Sequence, residues 1–321
     1  QSRGEDDAEN EIVLRGNTRY VPRWSRGTLF SPSVEDRIPV GEGIDNYRLE
    51  ITTLGVLDSL ALRQVKGKKP GPGQVEIEVC AAALNFRDVM KALGIYPTEG
   101  NDTEELGDEC AGRIVSVGEG VADLRVGHEV VALAPRCFSS RVINYAPFVV
   151  QKPACLSFEE AVTVPVTFLT AWYALRHLAR IGAGDRVLIH AATGGVGMAA
   201  VQIARWVGAE IFATAGSEEK RRFLRLLGVE HVMDSRSLAF ADEVMEITGA
   251  AGVDIVLNAL AGEAIHKSLS VLAPYGRFLE IGKRDIYQNS RLGLRVFRNN
   301  LSFFAIDLSR LMVDKPEFVG G

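Results

Sequence analysis

The stretch Asp185-Arg-Val-Leu-Ile-His-Ala-Ala-Thr-Gly-Gly-Val-Gly-Met-Ala-Ala-Val-Gln-Ile-Ala204 limits what this chain can be more than any other. Val187 to Ile189 is a short apolar run of the length and composition of a buried strand. A turn of small residues follows, and Val196 to Trp206 then reads as a helix with no breaker inside it. Strand, tight turn and helix is the context that a dinucleotide fingerprint requires. On the G-x-G-x-x-G frame Ala192 takes the first position, Gly194 the second and Gly197 the third. Gly194 lets the backbone approach a pyrophosphate and Gly197 lets the helix lie close on the strand. Free N–H groups of the turn from Thr193 through Gly194, Gly195 and Val196 to Gly197 are then the expected phosphate ligands. Alanine at the first position weakens the match, and a glycine-rich turn of some other α/β protein stays open on this stretch alone.

The flanks extend the pattern. Downstream, Ile211–Ala215, His231–Met233, Asp254–Leu257, Gly276–Ile281 and Ser302–Ile306 read as strands. They alternate with helices over Glu218–Leu227, Phe240–Thr248 and Ile265–Leu272. That is the βαβ rhythm of a parallel, doubly wound sheet. Upstream, a helical section begins between Pro153 and Val164, and Phe168–Ile181 is expected as a helix. Before it come strands at Tyr47–Ile51, Gln74–Cys80, Gly107–Gly118 and Asp123–Leu133, with a short helix entered from Ala81 to Met90. Short strands at this spacing suggest a barrel-like β domain. The fold class is therefore α/β, and 321 residues accommodate two domains.

Composition excludes several functions. The net charge of −5 and the lack of any Lys/Arg-rich run leave no electrostatic footprint for nucleic acid. No apolar stretch approaches the roughly 18 residues of a membrane span. Gln1 to Asn10 is acidic, reads as disordered, and lacks the apolar segment of a signal peptide. Cys80, Cys110, Cys137 and Cys155 form no C-x-x-C pair, so buried reduced thiols in a cytoplasmic protein are expected. His128, His177, His190, His231 and His266 show no ligand spacing and read as structural or solvated, so no metal is expected.

The second strand of the parallel sheet ends Ala213-Thr-Ala-Gly-Ser217 without the acid that usually binds the ribose 2′-OH of NAD. Ser217, Lys220, Arg221 and Arg222 follow at once, and Arg236 lies just past the third strand. A hydroxyl and several cations suit a 2′-phosphate. NADP(H) is therefore the expected coenzyme, although a solvated helix face explains some of these bases equally well.

A β domain followed by a Rossmann domain whose turn reads Ala-Ala-Thr-Gly-Gly-Val-Gly resembles the medium-chain dehydrogenase/reductase superfamily. The likeness is greatest to enoylreductase domains of modular polyketide synthases. It is carried by Ala83-Leu-Asn-Phe-Arg-Asp-Val89, Gly107-Asp-Glu-Cys-Ala-Gly112, Val164 to Tyr173, His190 to Gly197, Asp234 to Phe240, Gly276 to Lys283 and Ala305-Ile-Asp-Leu308. The resemblance implies an acidic tail or linker over 1–40, a GroES-like β-barrel substrate domain over 41–157, an NADP-binding Rossmann domain over 158–310 and a short tail over 311–321. In the family the chain returns after the last Rossmann strand to finish the substrate domain; that segment is expected to be missing here. The zinc branch carries Gly-His-Glu where this chain has Gly107-Asp108-Glu109, which implies a zinc-free member.

The same resemblance implies NADPH-dependent reduction of a trans-2-enoyl thioester, borne by the phosphopantetheine of an acyl carrier protein, beside neighbouring synthase domains such as a ketoreductase. Lys283 matches the family's candidate proton donor and Asp307 its acid partner; a surface lysine and a helix N-cap are the alternatives. Tyr96 resembles the tyrosine tied to the stereochemistry of α-protonation, or is an ordinary loop aromatic. Asn85, Thr167 and Asn258 occupy positions expected near the nicotinamide, or serve turns and caps. A free-standing quinone oxidoreductase of the same fold and a non-catalytic scaffold are the rival functions.

Overall fold

The computed structural model describes the backbone of residues 13–15 and 18–20, and residues 46–97 and 105–319 in full. The acidic stretch Gln1–Asn10 and most of the expected 1–40 tail lie outside the described residues. What is described there is an antiparallel pair, β1 (Val13–Arg15) and β2 (Thr18–Tyr20), which belongs to a unit separate from the rest.

In the second unit β3 (Tyr47–Ile51) and β4 (Leu60–Gln64) form an antiparallel hairpin. β5 (Gln74–Ala82) leads into α1 (Phe86–Ala92), and β6 (Glu109–Val117), β7 (Glu129–Leu133), β8 (Arg141–Tyr145) and β9 (Val149–Gln151) follow. These five strands make one curled antiparallel sheet in the order β8-β5-β6-β7-β9, the β domain that the strand spacing anticipates as barrel-like and the resemblance as GroES-like. Alternation places Val75 and Ile77 of β5 wholly inside, against Ile114 and Val130. The strand pattern had not signalled β4, β8 and β9. In β8 the inward position is taken by Asn144, whose amide donates to Leu133 O at 2.7 Å and breaks the apolar alternation. In β9 three residues are too few to show a period.

A short helix α2 (Phe158–Ala161) precedes α3 (Pro165–Trp172), which continues as a wide π turn over Tyr173–Leu178. The helix thus starts three residues before the expected Phe168. Pro165 stands at its first turn, where proline's missing N–H costs nothing. Next come β10 (Arg186–Ile189), α4 (Gly195–Val207), β11 (Glu210–Ala215), α5 (Glu218–Leu226), β12 (His231–Asp234), α6 (Phe240–Ile247), β13 (Val253–Asn258), α7 (Glu263–Ser270) and β14 (Leu272–Glu280). The short α8 (Arg284–Tyr287), β15 (Ser302–Ala305), α9 (Leu308–Asp314) and α10 (Pro316–Val319) end the described chain.

The six strands β10 to β15 pair in parallel in the order β12-β11-β10-β13-β14-β15. Val187 and Ile189 face one core with α4, while Leu188 faces a second with α6 and α7, so both faces are covered. The strand order reverses at β10, and ligands in such sheets bind outside the carboxyl ends of the strands at that reversal.

Candidate functional site

The carboxyl ends of β10, β13 and β14 open onto a cavity of about 1140 Å³. Phe86, Met90 and Ile95, from α1 and the loop after it, form its opposite wall. A second cavity of about 390 Å³ adjoins it, lined among others by Asn85, Arg87, Tyr96, Asp307 and Met312. Phe86, Met90, Val196, Ile281 and Lys283 line both.

The glycine turn forms the first wall. Gly194 N donates to Ala191 O at 2.8 Å, and α4 begins at Gly195. N–H groups in a first helical turn have no partner within the helix, and Gly194 to Gly197 line the larger cavity. At Gly197 a Cβ would lie 2.5 Å from Ala191 O and 2.6 Å from Ala192 Cα, so α4 lies closer to the strand end than a side chain permits. Alanine at the first fingerprint position has a local explanation. The left-handed turn falls on Ala191, at φ 49°, and not on the buried Ala192.

Beneath the turn His190 is 2% exposed, and burial holds its pKa down at about 3. Ser268 Oγ donates to Ala264 O, so it accepts from His190 Nε2–H, and Nδ1 accepts from Thr214 Oγ1–H at 2.9 Å. The ring is a buried, neutral strut, the structural one of the two roles, structural or solvated, that the sequence leaves open for it.

Lys283 follows β14 and Asp307 follows β15. Lys283 Nζ lies 2.5 Å from Asp307 Oδ2 and also donates to Ile306 O at 3.3 Å. Asp307 Oδ1 accepts from Arg310 N at 3.2 Å and caps α9. Pairing and capping therefore occur together, one on each oxygen. Burial pushes the Asp307 carboxyl up, but the Lys283 hydrogen bond and charge outweigh it and hold it below its ordinary value. Tyr96 shares the second cavity with the pair, and the Arg87 guanidinium lies 5.4 Å from its ring centroid. Burial raises the phenol's pKa while Arg87 pulls it down.

The remaining candidates are distributed unevenly. Asn85 lines the second cavity, with its amide donating to Glu109 Oε1 at 2.9 Å. Thr167 sits against Gly195, its hydroxyl donating to Thr163 O. Asn258 is fully buried, and its amide nitrogen donates to Leu260 O at 2.7 Å and Glu280 Oε2 at 2.6 Å. Ser217 caps α5 by accepting from Lys220 N at 3.3 Å. Lys220 is exposed beside it and Arg236 lies over Gly216. Arg221 instead turns inward to Ala215 O, Glu218 and Asp234.

Glu109 and Glu280 were missed by the sequence reading. Each is nearly unexposed, and burial raises each to about 7 against the opposing pull of its hydrogen bonds. The available signal was an acid at the end of a largely apolar strand, first in β6 and last in β14. Glu109 joins three elements, accepting from Asn85 Nδ2 and, at 2.7 Å, from Val166 N at the start of α3. A carboxyl raised in the folded state favours folding below its unfolded pKa, and that contribution is lost as pH rises through about 7. The Glu109→Gln variant is expected to flatten the fall in stability between pH 4.5 and 7, by up to about 3 kcal/mol. Chemical denaturation at stepped pH measures this; an unchanged slope would reject it.

Residues 71–172 match the alcohol dehydrogenase GroES-like domain and residues 195–314 the zinc-binding dehydrogenase family. The residues here do not suit zinc. Asp108 Oδ2 lies 3.1 Å from Arg87 Nε, and Glu109 is engaged as described. Among the described residues no group of three His, Cys, Asp or Glu could hold a metal ion. The described helices include none long and apolar enough to cross a membrane.

The chain is 46% identical to the CurK enoyl reductase, with a TM-score of 0.79 over 86% of this chain and 85% of that one. It is 38% identical to the CurF ER cyclopropanase from the curacin A biosynthetic pathway, again with a TM-score of 0.79, over 86% and 85% of the two chains. It is 43% identical over 312 residues to the mycocerosic acid synthase-like polyketide synthase of Mycobacterium tuberculosis. That match covers 97% of this chain and 15% of the synthase, so the chain spans a small part of its relative's length.

Proposed function

The chain belongs to the enoyl reductases of polyketide synthases, within the medium-chain dehydrogenase/reductase superfamily, and from that membership we propose that it reduces the C=C bond of a trans-2-enoyl thioester with NADPH. The acyl group is borne by the phosphopantetheine of an acyl carrier protein, and other synthase domains, such as a ketoreductase, are its neighbours. The observation that carries this reading is the Lys283–Asp307 pair: Asp307 lines the smaller cavity, and Lys283 lines both that cavity and the larger one bordered by the glycine turn.

A nicotinamide, when bound, would supply the hydride for Cβ of the substrate. The main-chain N–H groups of Gly195 to Gly197 would hold the diphosphate at the start of α4, with Gly194 N already bonded to Ala191 O. Asn85, on the smaller cavity, would border the nicotinamide end, and Thr167, which lines neither cavity, would act only through its packing against Gly195. Charge then gathers on the thioester oxygen, where a fixed cation is worth most. Lys283, aimed by Asp307 and Ile306 O, would hold that oxygen or deliver the proton to Cα. Tyr96 offers a second proton on the same cavity, and the side of Cα that is protonated follows from which donor acts.

The strand end at Ser217, with Lys220 and Arg236 around it and no acid on β11's last residues, supports a 2′-phosphate. The Arg236→Ala variant is expected to weaken NADPH binding by about tenfold, the worth of a charge-assisted contact at a partly exposed site, and to leave NADH binding unchanged. Equal losses for both coenzymes would reject the assignment. Turnover of a crotonyl-thioester surrogate against a quinone, each with NADPH, tests the reaction itself. Activity on the quinone alone would reverse the reading, and failure to bind NADPH would leave a scaffold.

A further inference from the structure

Asn258 and Glu280 are opposed across β13 and β14, and Glu280 is among the residues that line the larger cavity. Both are at most 2% exposed, in a wall where apolar side chains would hold the sheet equally well. The Glu280 carboxylate is divided between two tasks. Oε2 accepts from Asn258 Nδ2 at 2.6 Å, and Oε1 accepts from Gly282 N at 2.6 Å. Asn258 is in turn locked to Leu260, donating to its carbonyl at 2.7 Å and accepting from its N–H at 3.2 Å. The Glu280 main-chain oxygen accepts from Ile306 N at 2.9 Å, and Ile306 O is one of the two acceptors of Lys283 Nζ.

Gly282 N–H is therefore pinned immediately before Lys283, where the chain leaves β14. The fit is close: a Cβ on Gly282 would lie 2.6 Å from Glu280 Oε1. Buried polar groups that are fully satisfied fix a single local geometry, whereas partly satisfied ones destabilise it. The Glu280 carboxylate thus ties the turn at Gly282, through Oε1, to Asn258 and the Leu260 turn, through Oε2, so that the segment carrying Lys283 is fixed against the neighbouring strand end.

We propose that Asn258 and Glu280 act as one positioning pair for Lys283, holding the turn at Gly282 so that the ammonium stands on the wall shared by the two cavities; this rests on the catalytic reading of Lys283. Asn258 acts through Glu280 and does not itself meet the nicotinamide.

The test uses steady-state turnover of a crotonyl-thioester surrogate and fluorescence titration of NADPH. The variants are Glu280→Gln, Gly282→Ala, Lys283→Ala, and each of the first two combined with Lys283→Ala. Glutamine keeps the volume but turns an NH₂ toward a donor. Alanine at Gly282, whose φ lies outside the left-handed region, displaces the carboxylate without deleting it, so the test survives if Glu280→Gln does not fold. Both single variants are expected to lose about tenfold or more in kcat, as a loosened catalytic group does, with the NADPH Kd held within about threefold. In the Lys283→Ala background neither is expected to reduce kcat further, which a purely structural role would not produce. A slow Lys283→Ala beside full-rate Glu280→Gln and Gly282→Ala would overturn the pair and leave the reading of Lys283 standing. Losses that multiply in the double variants, or fall on the NADPH Kd, would also overturn it. A full-rate Lys283→Ala would remove the reading and the pair together.

Discussion

The Lys283→Ala variant is expected to bind NADPH normally and to lose about 10²- to 10³-fold in kcat on an enoyl-thioester surrogate, the range for removing a preorganised charge donor at a developing oxyanion. The lysine is not free to wander. Nζ is fixed by Asp307 Oδ2 at 2.5 Å and Ile306 O at 3.3 Å, both from the segment after β15. Removing it leaves Asp307 Oδ2 without its partner, but Oδ1 still caps α9 through Arg310 N, so the fold survives the change. Asp307→Asn keeps a capping oxygen while discarding the charge that orients the ammonium. It is expected to lose less, about tenfold, mainly in kcat. Thermal melts beside the kinetics separate chemistry from stability; a Lys283→Ala enzyme at the parent rate would reject the role.

The Gly197→Ala variant is expected to weaken NADPH binding about 100-fold and to destabilise the protein by about 1–3 kcal/mol, the range for overpacking a rigid site. The added carbon would lie 2.5 to 2.8 Å from three backbone atoms of Ala191 and Ala192. Those atoms have little freedom to yield. Ala192 N is bonded to Thr214 O at 2.9 Å, and His190 N to Leu257 O at 3.0 Å, anchoring the turn to β11 and β13. The helix start must move instead, taking its N–H groups away from the diphosphate. Gly182→Ala, with nothing within 4 Å and no left-handed backbone, is the control and is expected to be neutral. NADPH titration and thermal unfolding of the two variants decide the point.

The parallel half was legible because its strands are buried on both faces and its helices are amphipathic, so periodicity gives each boundary within a few residues. The Asp254–Leu257 strand, for example, is observed as Val253–Asn258. The antiparallel half was read less completely, since Asn144 stands where an apolar residue was needed to betray β8. Within the site, Lys283 and Asp307 were found from their strand-end positions and motif, but nothing local announces that they touch; that is set by β14 and β15 lying side by side. Asn258 illustrates the opposite limit. The resemblance puts it near the nicotinamide, with a turn or cap role as the alternative, yet its amide is committed to Leu260 and to Glu280, the second a partner that only the sheet register brings within reach.

Lys283 stands in a partition with a chamber on each side, one under the glycine turn and one under Tyr96. On the proposed reading, a substitution in the lining of one chamber that leaves Lys283 in place would change the affinity for one of the two ligands, coenzyme or tethered chain, and not for the other.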